Sequence, residues 1–304
     1  MPHDDRFAIA FRSTVFDPRT IVELAKRLDN VRFLSHLFVP EGSQGGFTSL
    51  DICSGSLAVS RRLRIGSGVI RILEHDPGLL ARRLLTLQEL SNNRFVLGIG
   101  TRWAGNDPKL TIRSMLERLH STRESFEKFV AGSPGVNMPE VFIATLRKGI
   151  AKAVADHPDG ILLNFCQAGH VRDIVKALGD KRRRLTVSCY LKIFYSRNMA
   201  TAQQMLIEEF AGYDQNPSYH KMFQLAGVAE EIARASLALS SGKIPDLSEK
   251  LLKISLANPS IKELEDYVSS FRAAGVDLPC LYPYFEPGED EAFKISKVGE
   301  IVRL

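Results

Sequence analysis

The stretch from residue 63 to 100 constrains this chain most. Two glycine-bearing apolar runs, RLRIGSGVI and RFVLGIGTRW, flank one helix-like segment that ends in LLTLQELSNN. Leu84, Leu87 and Leu90 recur there at helical spacing. Almost continuously apolar strands on either side of a helix suit a parallel sheet buried on both faces. Each run closes in Gly-x-Gly, namely Gly66-Ser67-Gly68 and Gly98-Ile99-Gly100. Glycine at a strand end lets the backbone bulge or come close to a ligand, because no Cβ intervenes. Two such ends on adjacent strands predict one flat ligand lying across them.

The same alternation continues along the chain. Strand-like runs are expected at 7–11, 31–39, 63–70, 94–100, 141–146, 160–165, 185–193 and 279–284. Helical patterns lie between them, at 19–28, 49–60, 77–90, 109–130, 148–155 and 169–178, with a long helical block from about 198 to 274. Asp76-Pro77 offers an N-cap followed by proline at the first helical position. Ser260-Ile261-Lys262-Glu263 has the form of a capping box, and Gly275 is expected to stop the helix that it opens. Eight strands alternating with helices predict an α/β fold of the (β/α)8 TIM-barrel type, with an open doubly wound sheet as the alternative. The segment 195–258 is too long for a simple crossover and reads as a helical insertion after strand seven, in three pieces at 198–212, 218–240 and 247–256. A chain of 304 residues then forms one barrel domain over 1–304, large enough for a sizeable core.

Composition narrows the function classes. Hydrophobic residues make up 44% and charged residues 25%, as in ordinary globular proteins. No run is long and apolar enough to span a membrane, and the opening MPHDDRFAIAF lacks the pattern of a signal peptide. Cys53, Cys166, Cys189 and Cys280 are far apart with no C-x-x-C pair, which argues against a disulfide framework or a zinc site and suits a reducing cytoplasm. The net charge is +5, and its densest runs are Arg61-Arg62-Leu63-Arg64 and Lys181-Arg182-Arg183-Arg184, each just before a strand. Such cations complement the C-terminal ends of preceding helices. No aromatic residues interleave with them, so nucleic acid is not an expected partner.

Familiar phosphate and metal motifs fail. In Gly98-Ile99-Gly100-Thr101-Arg102-Trp103 tryptophan stands where a dinucleotide fingerprint needs its third glycine, and the next helix begins several residues too late. The P-loop, H-E-x-x-H, G-x-S-x-G and EF-hand patterns are absent, and no metal site is expected.

The stretch RLRIGSGVI…HDPGLLARRLLTLQELSNNRFVLGIGTRW resembles the bacterial luciferase-like superfamily of flavin- and deazaflavin (F420)-dependent oxidoreductases. VFIATLRKGIAKAVADHPDGILLNF is similar to that family's fifth-to-sixth strand region, and NPSIKELEDYVSSFRAAGVDLPCLYPYF to its last helix and strand. The resemblance implies a (β/α)8 barrel, in agreement with the strand count, and a homodimer. It also implies a bulge with a non-proline cis peptide at the end of strand three, backing the central ring of the cofactor. By position that is Gly68-Val69. Gly100, Thr101 and Arg102 are expected to line the same pocket, Thr101 at the pyrimidine-like edge of the ring and Arg102 against an anionic ring or substrate. Arg147, Lys148 and Gly149, where strand five meets a helix, form the expected phosphate site, because backbone N–H groups and adjacent cations attract an anion. Asn164 is expected to cap that phosphate or the ribityl chain.

One departure concerns proton transfer. Many family members place Asp-His at the end of strand two, where this chain has Glu41-Gly42. Glu41 remains a candidate acid or base, and His75, in Glu74-His75-Asp76-Pro77 after strand three, is a candidate relay, with a plain loop histidine as its alternative. His36 reads as a packed core residue, and Lys192 lies inside the strand-seven run.

The resulting expectation is a cytoplasmic oxidoreductase that moves a hydride between a flavin-type cofactor and a small organic substrate beneath the helical insertion. The basic balance leans toward coenzyme F420 over FMN. An FMN-dependent monooxygenase, a non-catalytic flavin-binding barrel, and a cofactor-free lyase or isomerase using a strand-end lysine are the other readings.

Overall fold

Four consecutive buried apolar residues, Phe7–Ala10, open the fold as strand β1, which has no solvent-facing side. A computed structural model of the chain describes residues 5–41, 46–101, 108–243, 245 and 247–303. The elements continue as α1 (Pro18–Leu28), β2 (Leu34–Val39), α2 (Ser49–Val59), β3 (Arg64–Ser67), β4 (Ile70–Arg71), α3 (Pro77–Ser91), β5 (Phe95–Gly100) and α4 (Pro108–Val130). After these come β6 (Glu140–Ala144), α5 (Lys148–Val154), β7 (Gly160–Asn164), α6 (Ala168–Leu178) and β8 (Thr186–Tyr195). Helices α7 (Met199–Asp214), α8 (Pro217–Ala226), α9 (Ala229–Ser240) and α10 (Glu249–Leu252) follow, then β9 (Leu256–Ala257), α11 (Ile261–Ala273), β10 (Leu278–Phe285) and α12 (Glu291–Ile301).

The strand order β10-β1-β2-β3-β5-β6-β7-β8, with β10 also paired to β8, is that of a closed eight-stranded parallel barrel with alternating helices. The fold is a (β/α)8 TIM barrel. The two-residue strands β4 and β9 are appendages, β4 on β5 and β9 on β8. All eight expected strands are present, each within three residues of its expected ends. Three expectations are corrected, the first being the helical piece at 247–256, which forms only the single turn α10 and then enters strand β9. The pattern read as one helix over 218–240 is two, because Gly227 adopts a left-handed conformation (φ +69°) and closes α8. Helix α12 went unanticipated, although Asp290 caps it by accepting from the Phe293 N–H.

By contact density the described residues fall into two compact units. The first comprises those of Met1–Thr145, Ala153–Leu162 and Arg183–Thr186; the second comprises Leu146–Lys152, Leu163–Arg182 and Val187–Leu304. In the first unit the helix ends are tied by the basic runs. The Arg62 guanidinium donates to the carbonyls of Asp29, Val31 and Leu34, while the Asp29 carboxylate accepts the N–H groups of Arg61, Arg62 and Leu63. Arg94 donates to the Leu57 and Ser60 carbonyls at the end of α2. In the second unit Arg182 does the same for the Gly275 carbonyl after α11. The expectation that each basic run serves the helix just before it is corrected: Arg62 reaches the chain that follows α1, not α2, and Arg182 the turn after α11, not α6.

The tightest approach in the first unit lies between β3 and β5. Gly66 pairs with Val96, and beyond the bulge Ile70 pairs with Ile99. Ser67, Gly68 and Val69 therefore stand opposite only Leu97 and Gly98, a one-residue bulge. The Ser67 hydroxyl bridges the gap, donating to the Gly98 carbonyl at 2.9 Å and accepting the Gly98 N–H at 3.0 Å. A Cβ on Gly98 would lie 2.0 Å from the Ser67 carbonyl oxygen. Gly98→Ala is therefore expected to cost about 3 kcal/mol or more in urea unfolding. Gly149→Ala, whose Cβ would meet nothing within 4 Å, should not lower the unfolding midpoint.

Candidate functional site

In TIM barrels the chemistry sits at the C-terminal ends of the strands. In the first unit those ends hold Glu41 after β2, the Ser67–Val69 bulge after β3, His75 beyond β4 and Thr101 after β5. The Gly68–Val69 peptide is cis, at the position the family resemblance indicated. Gly68 is buried and Val69 is partly exposed.

The reason given for the paired glycines is corrected. On β5, Gly98 and Gly100 do not leave a bare strand end for a ligand. The place of a Gly98 side chain is taken by the Ser67 carbonyl and, at 3.1 Å, Val69 Cγ1. That of Gly100 is taken by Val69 Cγ2 at 2.7 Å and Ala144 Cβ at 3.4 Å. Glycine is required because the bulge folds the Val69 isopropyl group onto β5. The surface beside the bulge is thus Val69 itself, and Gly100 lies beneath it.

Glu41 and His75 come together. The Glu41 carboxylate accepts the Arg71 N–H at 3.4 Å, and Arg71 Nε lies 3.2 Å from Glu74. Burial lowers the pKa of His75, and the Glu41 charge partly opposes that shift. Arg118 donates to the His75 carbonyl at 2.7 Å, anchoring the loop to α4. A half-buried imidazole whose protonated form is favoured by a nearby carboxylate is suited to exchange a proton. Thr101 is exposed. Arg102 and the Gly42 that follows Glu41 lie outside the described residues.

His36 is a core residue, as read from the sequence. It is 8% exposed, and its Nδ1 lies 2.8 Å from the Ser35 hydroxyl. Burial, helped by Arg64 and Arg6, holds its pKa at about 3.

In the second unit Arg147 is half-buried, and Lys148 and Gly149 are exposed at the start of α5. His170, which sequence reasoning missed, holds this turn through Nε2 to the Leu146 carbonyl at 2.7 Å. Asn164 ends β7. Its amide nitrogen donates to the Tyr219 hydroxyl at 3.0 Å, while its buried Oδ1 has no hydrogen-bond partner. A buried acceptor without a donor is uncommon and calls for an explanation. Nothing in the sequence pairs Asn164 with Tyr219, 55 positions away in an expected helix. Lys192 is 1% exposed, and its Nζ lies 2.6 Å from Glu209. Its engagement there removes the support for a lysine-dependent lyase.

Among the described residues no group of three or more His, Cys, Asp or Glu side chains is placed to hold a metal ion, and no helix is long and apolar enough to cross a membrane.

A closed parallel barrel with a bulged third strand is a TIM-barrel scaffold. The family model of the luciferase-like monooxygenases matches residues 5–247, and the chain belongs to that family. It is 31% identical over 109 residues to 4-hydroxyprotoasukamycin monooxygenase of Streptomyces nodosus subsp. asukaensis, covering 32% of this chain and 29% of that protein. It is 30% identical over 122 residues to the F420-dependent glucose-6-phosphate dehydrogenase of Amycolatopsis mediterranei (strain U-32), covering 37% of each. The chain thus spans about a third of the length of the curated relatives it matches. An F420-dependent secondary alcohol dehydrogenase, solved with an F420-acetone adduct, shares the fold with a TM-score of 0.73 at 11% identity over 97% of each chain. The coenzyme F420 dependent tetrahydromethanopterin reductase of Methanopyrus kandleri shares the fold with a TM-score of 0.70 at 16% identity over 98% of each chain, and another structural neighbour, the oxygenating constituent of 3,6-diketocamphane monooxygenase of Pseudomonas putida, was solved in complex with FMN.

The folded pKa of His36 lies below its unfolded value of 6.5, so the unfolded chain binds more protons between about pH 3 and 6.5. Stability should therefore fall on acidification through that window, by up to about 1.4 kcal/mol per pH unit from this residue. Urea midpoints measured from pH 7.5 down to 4.5 should show this slope in the wild type and a shallower one in His36→Gln.

Proposed function

We propose that the protein is an oxidoreductase that binds a flavin-type cofactor, coenzyme F420 or FMN, and acts on a small organic substrate. The position of Glu41 near a half-buried His75 at the strand ends of the first unit supports this reading, together with membership of the luciferase-like family. The cofactor, when bound, supplies two-electron hydride chemistry, and with FMN oxygen activation as well. The protein's own part is to orient the ring, exclude water and manage one proton.

In the first unit Gly68 and Val69 would back the ring, Val69 presenting its partly exposed isopropyl group. Gly100 supports Val69 from beneath, and Thr101 and Arg102 would meet the polar edge of the ring. Glu41 and His75 would exchange a proton with substrate, the neutral imidazole as acceptor and the carboxylate as its electrostatic partner. In the second unit Arg147, Lys148 and the Gly149 backbone would hold the phosphate, with room at Gly149 for close approach.

Asn164 fits such a cofactor in a specific way. Its N–H donor is taken by Tyr219, and its Oδ1 acceptor is unsatisfied. Phosphate oxygens are acceptors, so a ribityl hydroxyl suits that atom better. Two adjacent cations favour F420, whose tail is polyanionic, over FMN. The helices from α7 to α10 would form the substrate cover, an insertion within a single barrel domain.

Purified protein titrated separately with F420 and FMN, followed by absorption and fluorescence, tests the reading; binding of neither would sink it. Asn164→Leu should weaken binding about tenfold through the lost hydrogen bond. Glu41→Gln and His75→Ala should each lower turnover about a hundredfold with cofactor affinity unchanged. Full activity in both variants would favour the non-catalytic flavin-binding alternative.

A further inference from the structure

Strands β8 and β10 carry an unusual group on one face. Their parallel register sets Lys192 beside Tyr282 and Phe194 beside Tyr284. Side chains alternate along a strand, so these residues share a face. Tyr195 and Phe285 lie on the other face, where they stack together and Phe285 meets Phe293 of α12. The Lys192 face is therefore the one turned away from α12.

On that face Lys192 is almost fully buried. Its Nζ lies 3.8 Å from the ring centre of Phe165, 4.1 Å from Tyr213, 5.0 Å from Tyr284 and 5.6 Å from Tyr282. Glu209 Oε1 accepts from this ammonium at 2.6 Å and from the Tyr284 hydroxyl at 2.7 Å. Glu209 and Tyr213 are four positions apart in α7, so one helix face delivers both. Phe165 contributes its ring from a left-handed backbone conformation, φ +52°. A bulky residue keeps that conformation only where its surroundings hold it. Phe165 also packs edge-on against Phe210 of α7 and Tyr219 and Phe223 of α8.

One ammonium, one carboxylate and several ring faces are the elements of an alkylammonium-binding cage. Here the ligand is covalently part of strand β8. We propose that Lys192 is a positioning residue whose ammonium, as the built-in ligand of this cage, locks helix α7 and the turn at Phe165 onto β8. Asn164 immediately precedes Phe165, so the cage also sets where its open acceptor stands. The link to catalysis rests on the oxidoreductase reading, in which α7 begins the substrate cover and Asn164 meets the cofactor. The latch itself does not depend on that reading.

The experiment is chemical rescue read by amide hydrogen exchange, without cofactor. Lys192→Ala removes the atoms from Cγ to Nζ, which n-propylammonium replaces. Exchange over α7 and residues 164–166 should rise about tenfold or more in this variant. Millimolar propylammonium should restore protection, whereas propanol and propionate should not. Lys192→Met fills the volume without charge and should show the same rise with no rescue. Phe165→Leu, which keeps the lysine and removes one ring, reads the same exchange if Lys192→Ala does not fold. Wild-type exchange in Lys192→Met or Phe165→Leu, or equal rescue by propanol, would overturn the proposal and leave Lys192 as mere filling. F420 and FMN titrations of wild type and variants separate the two readings. Rescue as stated with no cofactor binding in the wild type sinks the oxidoreductase reading alone. Unchanged exchange in a cofactor-binding protein sinks the latch alone.

Discussion

The hydroxyl of Ser67, standing in for a missing rung between β3 and β5, is the interaction on which the candidate site depends. It both donates to and accepts from the backbone of Gly98. A bulge leaves backbone groups without ladder partners, and burial makes such groups costly unless something satisfies them. Ser67 is fully buried and does so. With the ladder bridged, Val69 folds onto Gly98 and Gly100. The loop that follows then carries His75 close enough to Glu41 for that carboxylate to oppose the lowering of the His75 pKa.

The two units solve the problem of buried polarity differently. In the first, the buried Ser67 hydroxyl bridges backbone, and His36 is kept uncharged by burial. In the second, a full positive charge is buried on β8, compensated by the Glu209 carboxylate and the faces of aromatic rings. A buried ion pair contributes little net stability, because desolvation offsets the Coulomb attraction. Its geometric demands are strict, however, and they specify how α7 meets β8. Precision of placement, more than stability, is what such an arrangement supplies.

Much of the architecture was legible from periodicity. Strands such as 95–100 are apolar at every position, and helices such as α3 begin at an unmistakable Asp-Pro cap. The split at Gly227 was harder to see, since the apolar pattern of α8 resumes in α9 after one left-handed residue. For the site, the resemblance to the luciferase-like family pointed to the Gly68–Val69 peptide and to the Glu41 position, while His75 was read from its place after strand three. The glycines were seen, but their purpose was misread. An absent Cβ admits a neighbouring strand as readily as it admits a ligand, and only the position of Val69 distinguishes the two. Tyr219, His170 and Glu209 carried no signal, because each lies in a helix or turn far along the chain from its partner.

By itself the amino-acid sequence determined the eight strands and most of the helices between them, because hydrophobic period and capping chemistry act within a few residues. The tertiary structure alone decided which side chain fills the space above Gly98 and Gly100, which acceptor on Asn164 stays open, and which carboxylate meets Lys192. Those outcomes depend on distances between segments brought together by packing, and a one-dimensional pattern does not encode distance.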